Sequence, residues 1–207
     1  MKEYVWYASY GSNLNRDRFL CYIQGGTPQG SSFAEVGCKD PSLPLEEGVF
    51  HIPYSLYFAK NASRWGMKGV AFIGHKSDNE TLTYSKRYLI TADQFLDVLK
   101  QENNGLEINL DLQQVKEYGS YIFRQNAWYG NILYLGDDKG YPIFTFTAPW
   151  DQKEVSLTKP SHEYLQTIIT GLKEDYSNDT IYQYLDNKPG IKGKYTPEEL
   201  ASLIYEI

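Results

Sequence analysis

The first residues in the chain that could do chemistry form a short polar loop. The loop consists of Tyr10, Gly11, Ser12, Asn13 and Leu14, and it closes an aromatic, β-prone run at 4–10. Gly11 permits a close backbone approach, and Ser12 and Asn13 can cap a following helix. Successive N–H groups at such a strand-to-helix junction can seat an anion such as a carboxylate. The same residues also suit a plain turn with a capping side chain, so their spacing leaves both interpretations open.

A second chemical feature is a carboxylate at the end of a predicted helix, Glu102. Thr91 and Gln94 form a capping box that opens this helix, which extends to about Glu102. Glu102 continues the inward stripe formed by Phe95, Val98 and Leu99. Burial and the negative end of the helix dipole would both raise its pKa toward neutrality, as a general base requires. Alternatively, the helix frays and Glu102 reaches water.

The elements that must position these residues are predicted from periodicity and turn signals. Strand-like runs occupy 4–10, 49–59, 69–74, 84–90, 118–123, 131–135 and 143–146. Helices are predicted over 14–23, 91–102, 161–174 and 179–186, and from Thr196, where a capping box precedes Pro197. The segments 24–47 and 136–140 read as a long loop and a hairpin turn. This order predicts an α+β fold with one mostly antiparallel sheet, closed or strongly curled.

Composition narrows the function classes. The 207 residues suit one domain over 1–207, with 175–207 as a helical C-terminal extension. The net charge of −6 and the absence of a Lys/Arg stripe argue against a nucleic-acid partner. No apolar run reaches the roughly 18 residues of a membrane span, and no signal peptide is evident, so we expect no membrane partner and a cytoplasmic protein. Cys21 and Cys38 fit a reducing compartment, and no metal-ligand spacing is present.

The run Tyr7-Ala8-Ser9-Tyr10-Gly11-Ser12-Asn13-Leu14 resembles the N-terminal signature of the gamma-glutamyl cyclotransferase-like family, Y-x-A-Y-G-S-N-L at the end of the first strand. The resemblance implies a small α+β domain around a mixed, barrel-like sheet. In that family the backbone of this loop holds the carboxylate end of the gamma-glutamyl group. The resemblance therefore implies that residues 10–14 line the substrate cavity.

The resemblance extends to Glu102. Gln101-Glu102-Asn103 occupies the place of the family's catalytic acid/base, and the nearest rival, Glu107, has a less inward-facing setting. One departure follows it, because family members usually place Gly after the glutamate and a substrate-holding Tyr soon afterwards. Here Asn103-Asn104-Gly105 intervenes and the next tyrosine is Tyr118. The departure puts the substrate preference in question, although the chemistry can be the same.

The implied reaction is cyclisation of a small gamma-glutamyl amide, chemistry that belongs with glutathione metabolism. The substrate's α-amine attacks its own γ-carbonyl and releases 5-oxoproline and an amine or amino acid, without a cofactor or metal; the leaving amine and the oligomeric state stay open. Two alternatives are an amide hydrolase with Ser12 as nucleophile and a non-catalytic ligand-binding or interaction protein. The hydrolase lacks a G-x-S-x-G elbow, and retention of both the loop and Glu102 favours an enzyme over a binding protein.

Overall fold

The computed structural model describes residues 2–78 and 80–206, which divide into two compact units. Unit 1 consists of Met1–Ser9, Arg16–Phe50 and Ser85–Pro149. Unit 2 consists of Tyr10–Asn15, His51–Tyr84 and Trp150–Ile207. Each unit is thus assembled from three separate stretches of the chain, and the single domain expected over 1–207 stays a prediction.

Eight strands and six α-helices are formed within the described residues. The strands are β1 (Tyr4–Ser9), β2 (Glu46–Ile52), β3 (Tyr54–Ala62), β4 (Lys68–Ser77), β5 (Thr83–Thr91), β6 (Ser120–Ile122), β7 (Asn131–Asp138) and β8 (Tyr141–Thr147). The helices are α1 (Arg16–Gln24), α2 (Ala92–Glu102), α3 (Leu112–Tyr118), α4 (His162–Leu172), α5 (Asn178–Asp186) and α6 (Pro197–Tyr205). None of these helices has both the length and the apolar character that crossing a bilayer requires.

Unit 1 is built on a mixed six-stranded sheet with the order β2-β5-β1-β8-β7-β6. β1 pairs antiparallel with β5 and parallel with β8. Its residues from Val5 to Ser9 are all buried, which explains why β1 is apolar and aromatic almost without alternation. The α+β class is confirmed, but the sheet is not closed, because β2 and β6 form its two edges in the described part of the chain.

The predicted hairpin between β7 and β8 is confirmed. Asp138 pairs with Tyr141, which leaves a two-residue turn of Lys139 and Gly140. Both turn residues have positive φ, 51° and 84°, as the favoured type of two-residue hairpin turn requires. The sequence signal of Asp, Lys and Gly between two apolar runs therefore identified the hairpin, but the turn is shorter than the predicted 136–140, because residues 136–138 belong to β7.

The core of unit 1 lies between the sheet and its helices. α2 begins at the predicted capping box, where the Thr91 hydroxyl accepts from the Gln94 N–H and the Gln94 side chain accepts from the Thr91 N–H. Its predicted inward stripe is confirmed, since Phe95, Val98 and Leu99 are fully buried. They pack in one cluster with residues of β1, β5, β8 and α1, among them Val5, Tyr7, Phe19, Tyr88 and Phe144.

Unit 2 contains the antiparallel pair β3–β4 and the helices α4, α5 and α6. The predicted caps are confirmed: the Ser161 hydroxyl accepts from the Tyr164 N–H, and Thr196 and Glu199 form a capping box ahead of Pro197. In α5 and α6, Ile181, Leu185, Leu200 and Ile204 are buried. These apolar residues therefore serve the core of unit 2.

Three other sequence predictions of elements were wrong in their boundaries or type. The run 49–59 is two strands in different sheets, β2 and β3, which are separated at Pro53, a residue that lacks an N–H and has a fixed φ. The run 118–123 contains only the short β6, and Tyr118 instead ends α3, which was missed. The helix expected from Leu14 begins at Arg16, after a separate 3-10 turn.

A buried lysine in unit 2 lies beside a stack of tyrosines. Tyr84 stacks on Tyr184 with ring centroids 4.0 Å apart and on Tyr176 at 4.5 Å. Lys188 is 9% exposed, and its Nζ lies 4.2 Å from the centroid of Tyr184 and donates a long hydrogen bond to the Leu82 carbonyl at 3.4 Å. Burial lowers the pKa of the Lys188 ammonium to about 8, because removing a cation from water disfavours its charged form.

We expect the free energy of unfolding to rise with pH between about 8 and 9.5 because of Lys188. In this window the unfolded chain, with an ordinary lysine pKa, binds more protons than the folded chain, so raising the pH favours folding. Urea unfolding of the wild type and Lys188→Met checks this: the wild type should gain roughly 1 kcal/mol per pH unit relative to the variant. Parallel stability curves would show that Lys188 is not the titrating group.

Candidate active site

The Tyr10–Leu14 loop begins at the residue after β1 and belongs to unit 2. Ser12–Leu14 forms a 3-10 turn, in which the Leu14 N–H donates to the Gly11 carbonyl at 3.0 Å. Tyr10, Asn13 and Leu14 are buried, whereas Gly11 and Ser12 are half-buried. A ligand of this loop would therefore meet its Gly11-Ser12 backbone, at the N-terminal start of a helical turn, where N–H groups favour an anion.

The loop packs closely against α4, and a glycine of that helix, Gly171, makes the close contact possible. A Cβ atom at Gly171 would lie 2.3 Å from the Leu14 carbonyl carbon and 2.5 Å from the Asn15 nitrogen. Real Cβ atoms do not approach backbone atoms so closely, so only glycine lets the helix and the loop reach this separation. Gly171 was not singled out from the sequence, where an isolated glycine late in a helix could equally indicate a helix end.

A tyrosine hydroxyl borders the accessible part of the loop. A Cβ at Gly11 would lie 3.1 Å from Tyr164 Oη, and that hydroxyl accepts a hydrogen bond from the Ala71 N–H at 3.1 Å. The Tyr164 ring also packs against Trp65, with centroids 4.8 Å apart. Tyr164 was not identified from the sequence, although its place on the apolar face of α4, four residues before Ile168, was a signal for a polar group directed inward.

Glu102 is the last residue of α2 and belongs to unit 1. It is half-buried and follows the buried stripe of that helix, as its spacing predicted. The helix ends immediately afterwards, with Asn103 as its C-cap and Asn104 at a φ of 56°. A carboxylate at this end lies near the negative pole of the helix dipole, which favours its protonated form. The raised pKa expected for Glu102 stays a prediction.

The rival carboxylate, Glu107, has a different environment. Its side chain is 89% exposed and forms an ion pair with Lys100. The hydrogen bond and charge of Lys100 lower the pKa of Glu107. A carboxylate with a lowered pKa accepts protons less readily near neutral pH, so Glu107 is the poorer candidate for a general base.

The structure thus places the predicted site residues in two groups. The five loop residues lie together in unit 2, and Glu102 lies in unit 1. In residues 2–78 and 80–206, no group of three or more His, Cys, Asp or Glu side chains has the arrangement of a metal site. His51 Nε2 lies 3.0 Å from the Tyr176 hydroxyl, and the His162 ring packs on Tyr195.

Comparison of the amino-acid sequence with known proteins identifies a relative of the chain. No protein-family model matches the chain. The chain is 38% identical over 200 residues to Histone deacetylase 5 of Arabidopsis thaliana, a match that covers 88% of the chain. It covers 30% of that relative, so the chain spans less than a third of the relative's length.

Two solved structures share the fold. A crystal structure of an uncharacterized protein from Homo sapiens matches with a TM-score of 0.53 at 16% identity, covering 98% of this chain and 99% of the other. A structure described as gamma-glutamyl cyclotransferase matches with a TM-score of 0.50 at 16% identity, covering 99% and 100%. The chain therefore has the fold of gamma-glutamyl cyclotransferases.

Proposed function

We propose that the chain is a cyclotransferase that cleaves a small gamma-glutamyl amide and releases 5-oxoproline. The observation that carries the proposal is the Tyr10–Leu14 loop, in which only Gly11 and Ser12 remain accessible between buried neighbours. The loop backbone packs closely against α4 at Gly171, a contact that supports a loop arranged without the ligand. A fold shared with gamma-glutamyl cyclotransferase supports the same reaction class.

The reaction is an internal acyl transfer. The substrate's α-amine nitrogen attacks its γ-carbonyl carbon, and the C–N bond to the leaving amine breaks, which gives a five-membered lactam and a free amine. Glu102 would take a proton from the attacking ammonium and return a proton to the leaving nitrogen, so the enzyme ends in its starting state. Since the nucleophile is tethered to its target, holding the substrate folded contributes a large part of the rate.

The loop would supply the binding energy and charge stabilisation. N–H groups at the start of a helical turn favour a carboxylate or a developing oxyanion. They belong to the backbone, so they require no side-chain movement, and the loop packs against α4 at Gly171. The Tyr164 hydroxyl, which borders Gly11, adds a polar side-chain group beside the loop backbone.

A binding protein without turnover is the second candidate. The match to Histone deacetylase 5 favours this candidate. The chain corresponds to less than a third of that relative, and a segment of that size could act as an accessory domain of the longer protein. The name of that relative describes the whole protein and is not carried over to this chain. Hydrolysis through Ser12 is disfavoured, because the sequence lacks the G-x-S-x-G elbow of such hydrolases.

The test is incubation of the purified chain with a panel of gamma-glutamyl dipeptides and gamma-glutamylamines, followed by mass spectrometry of the products. The proposal predicts 5-oxoproline and the free amine in equal amounts from at least one member of the panel. Equimolar glutamate and amine would indicate a hydrolase instead. Binding of the panel compounds without any product would support the non-catalytic protein.

A further inference from the structure

The last turn of α2 is tied to the rest of unit 1 on both sides of Glu102. Gln101 precedes Glu102 and Asn103 follows it. The side-chain amide of each forms hydrogen bonds with backbone groups, Gln101 with groups outside α2 and Asn103 with groups both inside and outside it. We propose that Gln101 and Asn103 are positioning residues that hold Glu102 in place for proton transfer. This inference rests on the cyclotransferase function proposed above.

Gln101 joins α2 to two other segments. Its Nε2 donates to the Tyr22 carbonyl in the last turn of α1 at 3.0 Å, and its Oε1 accepts from the Gly37 N–H at 3.1 Å. Gly37 lies close to Gly25, because its φ is 87° and a Cβ there would lie 2.6 Å from the Gly25 nitrogen. Both ends of the Gln101 amide therefore bond to backbone groups, one in α1 and one in this close contact.

Asn103 secures the other side of Glu102. Its Nδ2 donates to the Leu99 carbonyl at 2.9 Å and to the Tyr129 carbonyl at 3.3 Å. The first bond adds a second donor to a carbonyl that already accepts from the Asn103 backbone N–H at 3.1 Å, and the second joins the helix end to the segment before β7. The family resemblance places glycine after the glutamate, so the Asn103 side chain is a feature of this chain.

These tethers matter because helix ends fray. A glutamate on the final residue of a helix loses its orientation when that turn opens. Consecutive residues on a helix point about 100° apart, so the Gln101 amide acts on Glu102 through the backbone rather than by contact. A displacement of about 1 Å at a reacting group can cost up to about a hundredfold in rate. Loss of these hydrogen bonds would therefore lower kcat strongly while lowering the free energy of unfolding only modestly.

The experiment compares Gln101→Met and Asn103→Ala with a matched control, Gln94→Met. Gln94 is also a glutamine of α2 whose amide ties the helix to a loop, with Nε2 donating to the Asp40 and Ser42 carbonyls at 2.9 and 2.7 Å. It lies eight residues before Glu102 in sequence, roughly 12 Å away along the helix axis. The control thus removes a comparable tether at the opposite end of the helix.

Two readouts are measured on each folded variant. One is kcat and KM for 5-oxoproline release, and the other is the titration midpoint of the Glu102 carboxyl by 13C NMR, assigned with Glu102→Gln. We expect Gln101→Met and Asn103→Ala to lower kcat about tenfold or more with KM nearly unchanged, and to move the Glu102 midpoint. Gln94→Met should lower stability and leave both readouts at wild-type values.

The two proposals fail in different ways. A Glu102 midpoint that is the same in all four proteins overturns the positioning role, whether or not the wild type is active. A wild type that releases no 5-oxoproline overturns the proposed function, whatever the titrations show. Equal losses of kcat in the control and in the two test variants would assign the effect to general destabilisation and also overturn the positioning role.

Discussion

Glu102→Gln is expected to lower kcat for 5-oxoproline release by about 10²–10⁴-fold, the range attributed to general acid–base catalysis. The amide has nearly the same shape as the carboxylate but cannot exchange a proton with the substrate near neutral pH. Because Glu102 is half-buried at the end of α2, the substitution should leave the thermal unfolding temperature close to that of the wild type. Steady-state kinetics with the preferred substrate, beside a thermal melt, measure both effects.

The control for this prediction is Glu107→Gln. Glu107 is exposed and paired with Lys100, so its loss should change kcat less than about twofold. If Glu107→Gln removed activity and Glu102→Gln retained it, the acid/base assignment would move to Glu107. Full activity of both variants would mean that neither carboxylate transfers the proton.

Gly171→Ala is expected to destabilise the protein by about 1–3 kcal/mol, the usual cost of overpacking, and to raise KM. In a helix without neighbours the same change would stabilise by about 1 kcal/mol, because alanine favours helix more than glycine. Here the new Cβ would lie 2.3 Å from the Leu14 carbonyl carbon, so α4 and the Tyr10–Leu14 loop must separate. Urea unfolding and substrate titration measure the two effects.

Thr170→Ala is the matched control for Gly171→Ala. Thr170 precedes Gly171 in α4, is exposed, and donates its hydroxyl to the Gln166 carbonyl of the same helix. Its replacement should change the free energy of unfolding by less than about 0.5 kcal/mol and leave KM unchanged. Stabilisation by Gly171→Ala would contradict the close contact between helix and loop and, with it, the fixed loop backbone.

The helices were predictable because their start signals are local. A capping box joins residues three positions apart, so Thr91 and Thr196 could be identified as helix starts without any tertiary information. The hairpin at Lys139 and Gly140 is local in the same way. α3 was missed because its seven residues are too few for a clear apolar stripe, although Asp111 caps it.

The features that the sequence did not reveal depend on contacts between distant residues. Nothing near Pro53 indicates that β3 and β4 form their own sheet, since strand partners are chosen over the whole chain. The contacts of Gly171 with Leu14 and of Tyr164 with Ala71 join residues far apart in sequence. Periodicity assigns such residues to a helix face but does not show what that face meets.

For the candidate site, the sequence identified the candidate residues, but it did not reveal the burial and the contacts of their side chains. The turn at Ser12–Leu14 and the position of Glu102 at the end of α2 agree with the spacing arguments. Which loop residues stay accessible, and which side chains tie down the end of α2, emerged only with the structure. The roles assigned to these residues are proposals that the variants above test.

The most direct test of the central claim is product analysis after reaction in ¹⁸O-labelled water. Internal attack by the α-amine consumes no water, so the account predicts 5-oxoproline without ¹⁸O beside one equivalent of free amine. Hydrolysis would place ¹⁸O in the γ-carboxylate of glutamate, and later ring closure would carry part of that label into 5-oxoproline. Labelled glutamate, labelled 5-oxoproline or no 5-oxoproline from any gamma-glutamyl substrate would contradict the account.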